Sequence, residues 1–207
     1  METDRELLKK GLMEMGLIPA EDLVAGFLSY TSELKKWNRA YNLTALKNDR
    51  DIITKHFLDS LLFLKAFPES LQTVCDAGSG AGFPGVPIAM IKSELSIFLV
   101  EPSRKKCAFL RNLKKNLALN NITVLESRVE DLIDINFDVI VTRALFSIDE
   151  FIKKTKSIVK QDGCLIMSKG PKFQDELKEI PPSVHFEHIT AILPLISLKR
   201  NLIRITR

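Results

Sequence analysis

The sequence predicts an α/β fold, a mostly parallel sheet covered by helices on both faces. Three observations predict it. From residue 72 onward, short apolar runs alternate with segments of helical periodicity, the pattern of parallel strands joined by crossover helices. One junction, residues 72–85, passes from an apolar run through glycine at 78, 80, 82 and 85 into a helix. Ahead of it, residues 1–66 are helical in pattern and carry no strand signal.

Leu7, Leu8, Leu12 and Met15 recur at three- and four-residue steps, and Gly16 ends that segment. Pro19 suits the start of a longer amphipathic helix over 20–37, apolar at Leu23, Phe27, Tyr30, Leu34 and Trp37. Residues 37–44 read as a polar and aromatic loop, and 56–66 as another helix that Pro68 stops. The expected organisation is a helical extension, 1–68, packed on a core of 69–207. Within the core the pattern gives strand 72–76, helix 84–91, strand 96–100, helix 103–118, strand 122–126, strand 137–142, helix 147–158 and strand 163–168. Ser103 is placed to cap the second of these helices. A short helix over 173–178 precedes Pro181 and Pro182. Two final strands, 184–193 and 201–206, suggest an antiparallel edge on the parallel sheet.

The loop after the first strand fits two cofactors. Gly80, Gly82 and Gly85 match the G-x-G-x-x-G dinucleotide fingerprint, while Asp76, Gly78, Gly80 and Gly82 match the D-x-G-x-G-x-G loop of S-adenosylmethionine (SAM) methyltransferases. Pro84 suits the first turn of the helix that follows. Glu101, at the tip of the next strand, is placed to accept ribose hydroxyls. Both cofactors carry that ribose, so the acid supports a nucleoside ligand without choosing between them.

At 45% hydrophobic and 27% charged, 207 residues suffice for one good core and a small extra lobe. The net charge of +4 permits a polyanionic partner without demanding one. The amino terminus is too acidic for a signal peptide, and no apolar run is long enough to span a bilayer, so a cytoplasmic chain without membrane partners is expected. Cys75, Cys107 and Cys164 lie far apart in apolar contexts, as reduced core residues rather than metal ligands. His56, His185 and His188 are acid–base candidates, with Asp59 on the same helix face as His56. Arg104, Lys105, Lys106, Arg111, Lys114 and Lys115 on one helix, and Lys199, Arg200, Arg204 and Arg207 at the end, are candidate phosphate contacts. Arg39 between Trp37 and Tyr41 adds the cation and aromatic mixture that unstacked bases favour.

Only the residues beyond 85 remain for a substrate domain, which favours methyl transfer over hydride transfer. Three classes stay open on the residues alone: an RNA methyltransferase, a nicotinamide-dependent oxidoreductase, and a non-catalytic RNA-binding module.

An ordered set of motifs narrows the choice. Tyr41-Asn42-Leu43-Thr44-Ala45, Lys55-His56-Phe57-Leu58-Asp59-Ser60, the loop from Asp76 to Gly85, Ser127-Arg128-Val129-Glu130, Thr142-Arg143-Ala144 and Lys169-Gly170 follow one another through almost the whole chain. Together they resemble the bacterial ribosomal RNA small subunit methyltransferase G family, also called glucose-inhibited division protein B. The resemblance implies a class I SAM-dependent fold with a seven-stranded sheet and an amino-terminal helical extension. It implies methylation of N7 of one guanine in the decoding-region loop of 16S ribosomal RNA, with S-adenosylhomocysteine (SAH) as the product. The substrate partner expected is 16S rRNA within the small ribosomal subunit or an assembly intermediate, and the enzyme is expected to be a monomer. The resemblance assigns cofactor contacts to Gly78 and Phe83, places Val129 and Glu130 beside the adenine, and puts Arg143 in the site. Relatives often carry Asp where this chain has Glu101, and the longer acid still reaches a ribose. Arg143 or Lys169 is a candidate to hydrogen-bond the guanine edge.

Overall fold

The computed structural model describes residues 2–143, 145–170, 173–178, 180–181 and 183–206; Ala144, Pro182 and Arg207, named above, lie outside the described residues. Helix α1 (Asp4–Glu14) starts with a capping box, in which Thr3 and Glu6 satisfy each other's backbone N–H groups. Helix α2 (Glu21–Tyr41) buries Val24, Phe27, Tyr30, Thr31 and Leu34, one stripe at helical spacing.

The expected loop at 37–41 is instead the last turn of α2. Trp37 packs on Phe109 and Tyr41, which carries the helix forward until Asn42 ends it at φ +50°. The third helical run also begins earlier than periodicity indicated. It comprises α3 (Asp49–Ile52), a π-helical segment (Ile53–Leu58), α4 (Asp59–Leu61) and a 3-10 segment (Leu62–Ala66). Asn48 caps it by accepting from Asp51 N–H at 2.7 Å.

The sheet is seven-stranded: β1 (Thr73–Ala77), β2 (Ser96–Val100), β3 (Ile122–Leu125), β4 (Phe137–Arg143), β5 (Val159–Lys169), β6 (His185–Leu193) and β7 (Leu198–Thr206). Its order is β3-β2-β1-β4-β5-β7-β6. The first five strands are parallel, and β7 pairs antiparallel with both β5 and β6, which is the antiparallel edge the sequence suggested. Helices α5 (Gly85–Ile91), α6 (Arg104–Asn116), α7 (Ile148–Thr155) and α8 (Phe173–Leu177) complete it.

Boundaries differ from expectation where tertiary pairing overrides local pattern. β5 starts at Val159, four residues ahead of the expected strand and directly after the span expected to be helical, because Val159 pairs with Phe137. β7 starts at Leu198, so Lys199 and Arg200 are strand residues, not loop residues. Pro84 precedes α5 rather than opening it. Ser103 stands at the cap position of α6, but its side chain makes no capping bond.

One face of the sheet packs on α1, α2, the run from 49 to 66, α5 and α6; the other packs on α7 and α8. Phe27, Tyr30, Phe57 and Phe109 are fully buried between the amino-terminal helices and the sheet domain. Each such side chain contributes about 1.5–3 kcal/mol relative to exposure. The sheet order reverses at β1, between β2 and β4, so the carboxyl ends of these strands open the crevice where α/β folds bind ligands.

Candidate functional site

The glycine loop leaves β1 into that crevice. Gly78, Gly80 and Gly82 all have positive φ. Gly78 N–H and Ser79 N–H both donate to Val100 O, at 2.9 and 3.1 Å, tying the turn to the end of β2. Glu101 follows directly and is 4% exposed. Its Oε2 accepts from Gly80 N–H at 3.0 Å and its Oε1 from Ser103 N–H at 2.9 Å, so each oxygen keeps a lone pair for a further donor. Asp76 lies beneath the loop. Its Oδ2 accepts from Gly85 N–H at 2.8 Å, while its Oδ1 is buried without a hydrogen-bond partner. Burial raises the Asp76 carboxyl to about 7, against the opposing pull of the Gly85 N–H and of Arg143. These features fit a cationic nucleoside cofactor: a buried unpaired carboxylate oxygen, a carboxylate at ribose reach, and a loop with glycine at 78, 80 and 82. Leu145 lies against Gly78, where an added Cβ would meet its Cδ2 at 2.1 Å. A larger residue at 78 would displace Leu145 and would also have to hold a φ of +74°, which favours glycine.

Arg143 ends β4 on the same side. Its guanidinium lies over the Phe83 ring, 5.2 Å from the centroid, and His56 stacks on the same ring at 4.3 Å. Nη2 donates to His56 Nδ1 at 2.9 Å, while Nη1 donates to Lys55 O at 3.2 Å and reaches Asp59 Oδ2 at 3.5 Å. Asp59 Oδ1 also accepts from Arg200 Nε at 2.5 Å. His56 Nε2 meets Thr44 Oγ1 at 2.7 Å, and the Asn38 side chain clasps Thr44 by its backbone N–H and C=O at 2.8 and 3.0 Å. Burial first, and the Arg143 charge second, lower His56 to about 3, so it is neutral. Arg143 can only donate, so Nδ1 is the acceptor and Nε2 carries the proton.

A family model described as rRNA small subunit methyltransferase G matches residues 24–202. The chain belongs to that family. The ribosomal RNA small subunit methyltransferase G of Neisseria meningitidis (serogroup A, serotype 4A) is 35% identical over 204 residues, 98% of each chain. That of Nitrosococcus oceani is 37% identical over 203 residues, covering 96% of this chain and 93% of its own. Among solved structures, M. jannaschii TYW2 in complex with AdoMet superposes with a TM-score of 0.55 at 13% identity, covering 73% of this chain and 76% of that one. The fold is that of the class I SAM methyltransferases.

In this member of the methyltransferase G family the other expected site residues fall into three groups. Val129 is buried in the 3-10 turn Val129–Asp131 after β3, packed with Ala77 and Val100 at the ends of β1 and β2. Glu130 beside it is exposed and accepts from Lys154 at 2.5 Å. The Phe83 side chain is enclosed by Tyr30, His56 and Arg143, which leaves its backbone as the part facing the loop. Lys169, at the end of β5, donates to Phe146 O at 2.8 Å and pairs with Glu176 at 2.7 Å, bracing the segment after β4.

Arg104 and Lys105 are exposed on the first turn of α6, with Lys106 3.9 Å from Glu101 and Lys105 over the Tyr41 ring. Arg39 and Lys199 are exposed, whereas Arg200 is drawn in to Asp59. His185 and His188 are not part of this group. They stand on the outermost strand β6, where His188 meets Asn201 and the Phe173 ring. Cys75, Cys107 and Cys164 are free and buried, as expected. Sequence reasoning missed that Thr44, His56, Asp59 and Arg200 form one polar chain around Arg143. The Asn-Leu-Thr and His-Phe-Leu-Asp-Ser motifs were the available signal, but their spacing does not reveal that β4 arrives between them.

Proposed function

We propose that the chain transfers a methyl group from SAM to N7 of a guanine in the decoding-region loop of 16S rRNA. The observation that carries this reading is the convergence at the carboxyl ends of β1, β2 and β4 of the glycine loop, Glu101 and an Arg143 held by neutral His56 and by Asp59. When bound, SAM supplies a methyl group already activated by sulfonium charge.

Gly78, Gly80 and Gly82 give backbone approach to the cofactor, Glu101 accepts its ribose hydroxyls, and the Phe83 backbone, Val129 and Glu130 border its adenine end. Guanine N7 has an in-plane lone pair and no proton, so the reaction needs no general base. The site agrees: His56 has no free lone pair, because Arg143 occupies Nδ1 and Nε2 bears the proton. Arg143 keeps its Nε–H and one Nη2 proton unbonded among the described residues, and these suit the guanine O6, which leaves the N7 lone pair free to attack the methyl group. Lys169 contributes by fixing the segment that carries Leu145, and Arg104, Lys105, Lys106, Lys199 and Arg200 add positive charge for the RNA backbone. Rate enhancement then comes from alignment and exclusion of water.

Family membership sets the nicotinamide-dependent oxidoreductase aside. The test is incubation with methyl-labelled SAM and small ribosomal subunits lacking the modification, followed by nucleoside analysis. Labelled 7-methylguanosine at a single site is expected. No incorporation with SAM binding intact would sink the reading and leave an RNA-binding module of this fold.

A further inference from the structure

A cleft of about 680 Å³ adjoins the Arg143 network, between α2 and the segment that follows it. Lys35, Asn38, Arg39, Asn42, Thr44 and Lys47 line it. Thr44 indicates what fits there. Its Oγ1 accepts from Leu46 N–H at 3.1 Å and from His56 Nε2–H at 2.7 Å, which takes both lone pairs. The hydroxyl proton remains, and no acceptor for it exists among the described residues. A half-buried donor on a cleft wall calls for an acceptor from outside. Arg39 and Lys47 are exposed on the same cleft and have no ion pair among the described residues, whereas Lys35 is engaged by Asp49 at 2.7 Å. One unsatisfied hydroxyl donor beside two unpaired cations matches an oxyanion without protons of its own, that is, a phosphate.

We propose that this cleft is a phosphate subsite that holds the RNA backbone beside the target nucleotide, with Thr44, Arg39 and Lys47 as its contacts. The proposal rests on the RNA methyltransferase reading and gives it a substrate-docking site. Thr44 links the cleft to Arg143 through His56 by contacts of 2.7 and 2.9 Å, so a phosphate seated there is two side chains away from the guanidinium.

The test is fluorescence anisotropy with a labelled single-stranded RNA across a range of salt concentrations, with SAH binding measured in parallel. The double variant R39Q/K47Q is expected to bind RNA roughly tenfold more weakly at low salt, and the slope of log affinity against log salt should shrink by about 0.7 per lost phosphate contact. SAH affinity should be unchanged. If the double variant loses SAH binding, each single variant read by its salt slope decides instead. T44S should retain wild-type RNA affinity and T44V should lose several-fold. Unaltered affinity and slope in the charge variants would overturn the proposal. So would inorganic phosphate binding that the double variant loses while its RNA affinity stays intact, since that marks a free-anion site. Wild-type protein that binds RNA through this cleft yet transfers no methyl group would refute the enzymatic reading and leave the cleft standing. Methyl transfer with an unchanged KM in R39Q/K47Q would do the reverse.

Discussion

Gly82 sits where no other residue fits. At φ +94°, an added Cβ would meet Val86 Cγ2 at 2.6 Å, Tyr30 Oη at 2.7 Å and Leu110 Cδ2 at 3.2 Å. Strain and overpacking act together, so Gly82→Ala should destabilise the fold by roughly 2–4 kcal/mol in urea denaturation and abolish SAH binding. A variant with wild-type stability would show that the loop relaxes freely. His56 gives a prediction with a pH sign. Its folded value of about 3 lies below the ordinary 6.5, so the stability it contributes is present above about 6.5 and is lost as pH falls through about 3. His56→Gln, which is uncharged, should flatten that acid limb in melts recorded from pH 7 down to 3. Asp76 acts in the opposite direction. Its folded value of about 7 lies above the ordinary 3.8, so its contribution is full below 3.8 and is lost as pH rises through about 7. An acid limb equally steep in His56→Gln would show that His56 is not held neutral.

The elements that matter meet in pairs. Helix α2 reaches the glycine loop through Tyr30, whose hydroxyl donates to Ala81 O at 2.5 Å while its ring stacks on Phe83. Tyr30→Phe leaves that carbonyl without its donor and should cost about 1–2 kcal/mol, with SAH binding weakened more than global stability suggests. Equal SAH affinity in Tyr30→Phe and the parent would detach α2 from the site. The run from 49 to 66 meets both β4 and β7 through Asp59, which is buried between Arg143 and Arg200. Asp59→Ala strands two guanidinium groups and should lower stability by about 3 kcal/mol and depress methyl transfer through misplaced Arg143. The helical stripe of α2 was legible because Phe27, Tyr30 and Leu34 follow its period. Its last turn was not, because Trp37 and Tyr41 are held there by Phe109 and by each other, and Phe109 is distant in sequence. Of the π-helical segment Ile53–Leu58 only the half from His56 on was legible as helix; such segments recur at functional sites, and this one carries His56.

At the scale of the whole molecule, the amino-terminal helices and the sheet share one hydrophobic cluster that runs from Leu7 to Leu202. We propose that residues 1–68 are an extension in topology but not a separate folding unit. Residues 69–207 expressed alone should therefore fail to show a cooperative thermal transition, because the surface that Phe27, Tyr30 and Phe57 cover would be open to water. A sharp transition for that fragment would establish an independent core domain. No described helix is long and apolar enough to cross a membrane.

The sequence by itself determined the alternation of strand and helix, the position of the glycine loop, the acid at the tip of the second strand and the family, because these are local patterns: periodicity, glycine spacing and ordered motifs. Only the tertiary structure decided what surrounds Arg143. Thr44, His56, Asp59 and Arg200 come from separate elements up to 156 positions apart in numbering and meet because β4 and β7 both run alongside the helical segment that carries His56 and Asp59. Hydrogen-bond partners at such separation are set by how strands order in the sheet, and no local period records that order.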